Sequence, residues 1–206
     1  MWGYTQAKKY LNLANTLIGK DRKFKILDIG GGTGRISHHL QKMGHDICIF
    51  DNDIELTNYS NSLGLRTVND LKSLKSEKFD LIFSHSLFPH LQIDEIKKVL
   101  KKSSMILKQN GIICMSYLSH AALLFEAVNK YQIILFLLNK NIKVNNTKYK
   151  FHPALLKTKG KFPDYYCGNF FLLKDLIKQI PKNLIFEKNV KSYSNYQDVF
   201  ILKKLN

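Results

Sequence analysis

The stretch Lys25-Ile-Leu-Asp-Ile-Gly-Gly-Gly-Thr-Gly34 decides how this chain is read. It begins as a short apolar strand, passes through glycines and leads into a helical pattern at Arg35. Gly30, Gly32 and Gly34 at alternate positions, with Gly31 among them, let the backbone turn sharply and approach a ligand without Cβ interference. The helix that follows offers N–H groups with no intrahelical partner. A dinucleotide fingerprint counted from Gly30 requires glycine at position 35, where Arg35 stands. No Gly-Lys-Ser/Thr follows, which excludes the phosphate loop of nucleotide hydrolases. The register is Asp-x-Gly-x-Gly-x-Gly, led by Asp28. A glycine cluster alone is also a plain turn, so its surroundings carry the argument.

Outward from the loop, helices and strands alternate. Ala7, Tyr10, Leu11, Ala14, Leu17 and Ile18 recur at helical spacing, and Gly19 caps that helix. Phe24–Ile29, Asp46–Phe50, Leu65–Val68, Phe79–Ser84 and Gly111–Tyr117 read as strands. Between them lie helices over 35–43, from about 54 to 63, and over 94–107. A further helix spans 172–180, and the strands 183–190 and 196–202 form an antiparallel hairpin. This predicts an α/β three-layer sandwich, with seven strands that are mostly parallel and the hairpin at the C-terminal end.

The segment Asp28–Gly34 resembles the first motif of the class I, Rossmann-like S-adenosylmethionine-dependent methyltransferases. The resemblance covers about residues 24–118 and implies S-adenosylmethionine as cofactor, with S-adenosylhomocysteine as product. It implies that Asp28 lies near the methionine amino group and that Gly30, Gly31, Gly32 and Gly34 form the floor. Asp51 ends the second strand about 20 residues past the loop, where an acidic residue meets ribose hydroxyls. Asn52 or Asp53 takes that place if the strand ends later. Asp70 matches the position that meets the adenine amino group, with the Leu71 backbone beside it, although Asn69 and Asp70 also suit an ordinary turn. Ser84, at the end of the fourth strand, completes the cofactor set.

The segment Ser84-His85-Ser86-Leu87-Phe88-Pro89-His90-Leu91 follows the fourth strand. It lacks the Asn/Asp/Ser-Pro-Pro-aromatic motif of amino-methylating nucleic-acid enzymes. Leu87–Leu91 looks like a region of the small-molecule methyltransferases, including the ubiquinone-biosynthesis O-methyltransferases. Pro89 replaces their glutamate, which removes any carboxylate or metal role there. His85 and His90 are the candidate catalytic bases, since imidazole titrates near neutrality. The plainer reading of His90 is pocket packing or a helix-start contact, and His85 is equally open to a structural role. His38 and His39 are adjacent and diverge on a helix, so no metal site is expected.

The 206 residues suit a single methyltransferase domain, with an N-terminal helix over 1–20 and an insertion or lid over 119–170. Residues 139–169 are polar and lysine-rich, longer than an ordinary connection. The net charge of +16 favours anionic partners, although lysines scattered by compositional drift account for it equally well. Cys48, Cys114 and Cys167 form no C-x-x-C motif and fit a reducing compartment. No secretory signal is visible, and residues 133–138 are too short to cross a bilayer. The expectation is a cytoplasmic methyltransferase without a transmembrane segment, acting on a small or carrier-linked acceptor, such as a sugar, quinone precursor or phosphate-bearing compound. RNA is the alternative acceptor; a non-catalytic cofactor-binding module is a further alternative.

Overall fold

The computed structural model describes residues 2–19, 22–119, 141–144, 147–150, 170–171, 173–194 and 197–205. Among these residues lie helices α1 (Trp2–Leu17), α2 (Arg35–Lys42), α3 (Ile54–Ser62), α4 (Ile93–Ile106) and α5 (Leu173–Ile177), together with ten strands. The strands are β1 (Lys25–Ile29), β2 (Asp46–Phe50), β3 (Arg66–Val68), β4 (Phe79–Ser84) and β5 (Leu107–Ser119). They continue with β6 (Asn141–Val144), β7 (Thr147–Lys150), β8 (Phe170–Phe171), β9 (Leu184–Ser194) and β10 (Gln197–Lys204). The main sheet runs in the order β3-β2-β1-β4-β5-β10-β9, with the short β8 also paired to β5. Strands β1 to β5 pair in parallel, whereas β10 is antiparallel to both β5 and β9.

Successive residues of each strand face opposite sides of the sheet and build two separate cores. Ile26, Leu81, Phe83, Cys114 and Ile201 pack against Ala7, Tyr10 and Ala14 of α1 and Leu40 of α2. Leu27, Ile82, Ile113, Phe200 and Leu202 pack against Ile96 and Leu100 of α4 and Leu176 of α5. Both faces of the parallel strands are covered, which is why these strands are continuously apolar. Cys48 and Cys114 are buried free thiols, and burial raises Cys48 to about 11 and Cys114 further. They are packing residues.

Chain order reverses between β1 and β4, the two neighbours from which connections run to opposite sides. In open α/β sheets this switch point leaves a crevice at the strands' carboxyl ends. The glycine loop follows β1 and residues 85–86 follow β4, so the crevice lies between them.

Several boundaries differ from the sequence expectation. Strand β5 starts immediately after α4 rather than at Gly111, because Asn110 adopts a left-handed φ of 59° and the chain continues through a register shift. Helix α5 is five residues, shorter than the apolar spacing over 172–180 indicated. Within the lysine-rich stretch, β6 and β7 form an antiparallel pair. Cys167 and most of the expected insertion over 119–170 lie outside the described residues. Among the described residues no helix is long and apolar enough to cross a membrane.

Candidate cofactor and acceptor site

The loop after β1 is shaped by its neighbours on β2 and α3. Gly30 takes a φ of 73°, a left-handed conformation that favours glycine, and its N–H donates to the Phe50 carbonyl at 2.7 Å. Gly31 is required by space: a Cβ there would stand 2.7 Å from Asp28 Oδ2 and 2.8 Å from Ile49 Cγ2. The Gly32 N–H donates to Asp51 Oδ2 at 2.9 Å, and the Ser60 hydroxyl donates to the Gly32 carbonyl at 2.7 Å. Gly34, the residue before α2, closes the turn by donating its N–H to the Gly31 carbonyl at 2.9 Å.

Asp28 sits beneath this loop and is 3 % exposed. Its Oδ2 accepts a 2.7 Å hydrogen bond from the Ser37 hydroxyl. Burial pushes its carboxyl from 3.8 up to about 7; the Ser37 hydrogen bond opposes this and the Asp51 charge adds to it. Asp28 also lines the cavity beside the glycine loop, where a cation would relieve the burial of its charge. The residues fit the ammonium of an amino-acid cofactor.

Asp51 is half-buried, and its Oδ1 accepts from the Asp53 N–H at 3.0 Å. Asp53 itself caps α3, accepting from Glu55 and Leu56 N–H groups at 2.9 and 3.1 Å, while Asn52 is exposed. The carboxylate directed at the loop is therefore that of Asp51. Asp70 caps a short 3-10 turn, with Oδ1 accepting from the Lys72 N–H at 2.8 Å, and Leu71 is buried behind it. The turn chemistry that made Asp70 ambiguous in the sequence is present in the structure.

Asp28, Gly30, Gly31, Gly32 and His85 line one cavity of about 270 Å³, together with Trp2, Thr33, Arg35, Ile36 and Ser86. Burial pushes the His85 imidazole down to about 4, with the Lys9 charge adding to the effect. Ser84 is fully buried, and its hydroxyl has no hydrogen bond among the described residues. His90 lies exposed at the end of a 3-10 turn and is not among the residues lining this cavity. Burial lowers its imidazole as well.

Three neighbours of the site carried no signal in the sequence. Trp2 places its ring edge-on to His85 at 5.2 Å between centroids. Ser37 is one polar residue in a polar helix until the fold brings it to Asp28. Ser86 has a φ of 65°, held there by its N–H donating to Ser116 Oγ at 2.8 Å and by Gln197 Nε2 donating to its hydroxyl at 2.6 Å. Among the described residues, no three His, Cys, Asp or Glu side chains gather as a metal site would require.

This arrangement is shared with known proteins. A family model described as "Methyltransferase domain" matches residues 27–115. An S-adenosylmethionine-dependent methyltransferase of Clostridium acetobutylicum is 18 % identical over 98 % of this chain and 92 % of its own, with a TM-score of 0.64. The CcbJ methyltransferase of Streptomyces caelestis is 14 % identical over 98 % and 95 %, with a TM-score of 0.66. The magnesium protoporphyrin IX methyltransferase of Synechocystis, solved with bound S-adenosylhomocysteine, is 13 % identical over 97 % and 83 %, with a TM-score of 0.64. No curated protein matches in sequence.

At these identities the solved structures establish the fold, and the matched domain supplies the chemistry that goes with it. Residues 27–115 match a methyltransferase domain, and the chain shares the fold of S-adenosylmethionine-dependent methyltransferases.

Proposed function

We propose that this enzyme methylates a small or carrier-linked metabolite in the cytoplasm. In this reading Asp28 holds the cofactor's amino group over Gly30–Gly32, Asp51 accepts from the ribose hydroxyls, and Asp70 and Leu71 border the adenine. Ser84 supports the end of β4 from within the core. His85 stands on the acceptor side of the cavity, and His90 lies farther out. The bound cofactor supplies an electrophilic methyl on a sulfonium; the protein's part is to align the acceptor for direct displacement.

The observation that carries this reading is one cavity in which His85 and Ser86, just after β4, share walls with the glycine loop. Its size suits a small acceptor group brought to the cofactor. The segment after β5 supports it further. Leu118 of β5 pairs with Phe170 of β8, so the chain between them leaves and returns beside the carboxyl end of β5. This supports reading 119–170 as the insertion over the acceptor. Radiolabelled methyl transfer from S-adenosylmethionine into a metabolite extract is expected to give a labelled small product; label found in RNA alone would reject this acceptor class.

Gly31→Ala is expected to weaken S-adenosylhomocysteine binding about tenfold and to cost about 1–3 kcal/mol of stability, because the new methyl group displaces the Asp28 carboxyl. Calorimetric titration and a thermal melt measure the two effects separately.

The +16 charge favours a second reading, an RNA methyltransferase. It requires RNA affinity that falls steeply with salt. Affinity unchanged between low and moderate salt counts against it.

A further inference from the structure

Among the described residues His85 is hydrogen-bonded through one ring nitrogen. Its Nδ1 lies 3.1 Å from the hydroxyl oxygen of Tyr10, a fully buried residue of α1. The Tyr10 ring is stacked on Phe83 of β4 with centroids 4.5 Å apart, which fixes where its hydroxyl points. The Ser84 carbonyl also lies near that hydroxyl, at 3.5 Å, beyond the usual reach of an O–H···O bond. The phenol proton is therefore directed to the nearer and more basic imidazole nitrogen. A neutral imidazole carries one N–H, so an Nδ1 that accepts leaves the proton on Nε2. Nε2 makes no hydrogen bond among the described residues, and the ring lines the cofactor cavity. That N–H is offered to whatever enters.

Resting on the methyltransferase reading above, we propose that Tyr10 fixes His85 as the Nε2–H tautomer. His85 then meets the acceptor as a hydrogen-bond donor, selecting a nucleophile that is already an oxygen anion, a carboxylate or phenolate. The chemistry balances without a base. An oxygen lone pair forms the new O–CH3 bond, the S–CH3 pair goes to sulfur, and the two opposite charges cancel. A neutral imidazole suits this arrangement twice over: it holds the oxygen by hydrogen bonding and adds no positive charge beside the sulfonium. Tyr10 is a positioning residue, and it lies outside residues 27–115, the part that matches the domain family.

Long-range proton–nitrogen NMR of uniformly nitrogen-15-labelled protein reads the tautomer directly, with and without S-adenosylhomocysteine. His85→Gln identifies the His85 signals by their loss. The expected spectrum has the proton on Nε2 and a hydrogen-bonded, bare Nδ1. Tyr10→Phe is expected to move that Nδ1 resonance by several ppm toward the position of an unbonded nitrogen. Acetate, used as the carboxylate probe, is expected to shift the Nε2–H signal of the S-adenosylhomocysteine complex, and methylammonium is not. A proton on Nδ1 in the native protein overturns the proposal whether or not the Tyr10 variant folds. An Nδ1 signal indifferent to a folded Tyr10→Phe, or an Nε2–H indifferent to acetate, overturns it as well. Calorimetric binding of S-adenosylhomocysteine tests the cofactor reading on its own, and the free protein's tautomer still answers if that reading fails.

Discussion

Asp51→Ala is expected to lower the affinity for S-adenosylhomocysteine about a hundredfold, the equivalent of roughly 2.7 kcal/mol. A charge-assisted hydrogen bond contributes about 1.5–3 kcal/mol, and in the proposed binding mode the ribose would present two hydroxyls to the carboxylate. The variant also loses the acceptor for the Gly32 N–H, so the glycine loop keeps only the Gly30 N–H to Phe50 carbonyl bond of these two ties to the end of β2. Asp51→Asn keeps one oxygen acceptor and no charge, and an intermediate loss of about tenfold is expected. Calorimetric titration of both variants gives the ordering. Affinity within twofold of the native protein for Asp51→Ala would remove Asp51 from the ribose site.

Lowering the pH is expected to weaken cofactor binding about tenfold at pH 6 and about a hundredfold at pH 5, relative to pH 8. The cause is Asp28, whose carboxyl is pushed from 3.8 up to about 7 by burial. The folded protein holds this proton more tightly than the unfolded chain. The resulting stability is fully present below pH 3.8 and is lost as the pH rises through about 7, on the order of 4 kcal/mol in all. An ammonium group bound at Asp28 reverses the preference, since it favours the carboxylate. Binding at pH 6 should therefore release close to one proton, seen as a slope of the calorimetric heat against the ionisation heat of the buffer. Asp28→Asn should bind weakly with no such slope. A dissociation constant that stays level from pH 8 to pH 5 would show that Asp28 does not meet the ammonium.

How much of this was legible in the sequence depends on the range of the interactions involved. Strand β4 was read with both ends correct because six consecutive residues, Phe79–Ser84, are buried on both faces and bounded by polar turns. The glycine loop was legible because its conformation is local, and Asp51 because the length of one strand–helix–strand unit sets its spacing from the loop. The start of β5 was misread because Gly111 looked like the break, when the left-handed turn falls on Asn110. The Tyr10–His85 contact spans 75 positions and joins α1 to the end of β4. In the sequence Tyr10 is only one apolar residue at helical spacing; its hydroxyl acquires a role when Phe83 sets its angle. Ser37 and Gln197 were hidden for the same reason, since their partners come from other elements.

Trp2 adds an optical consequence. It is the only tryptophan in the chain, half exposed, and it lies at the wall of the cofactor cavity against the His85 ring. Its emission therefore comes from a single place, one wall of that cavity. Occupancy of the site can be followed as a change in intrinsic fluorescence on unlabelled protein, and candidate acceptors can be screened that way before any product is known.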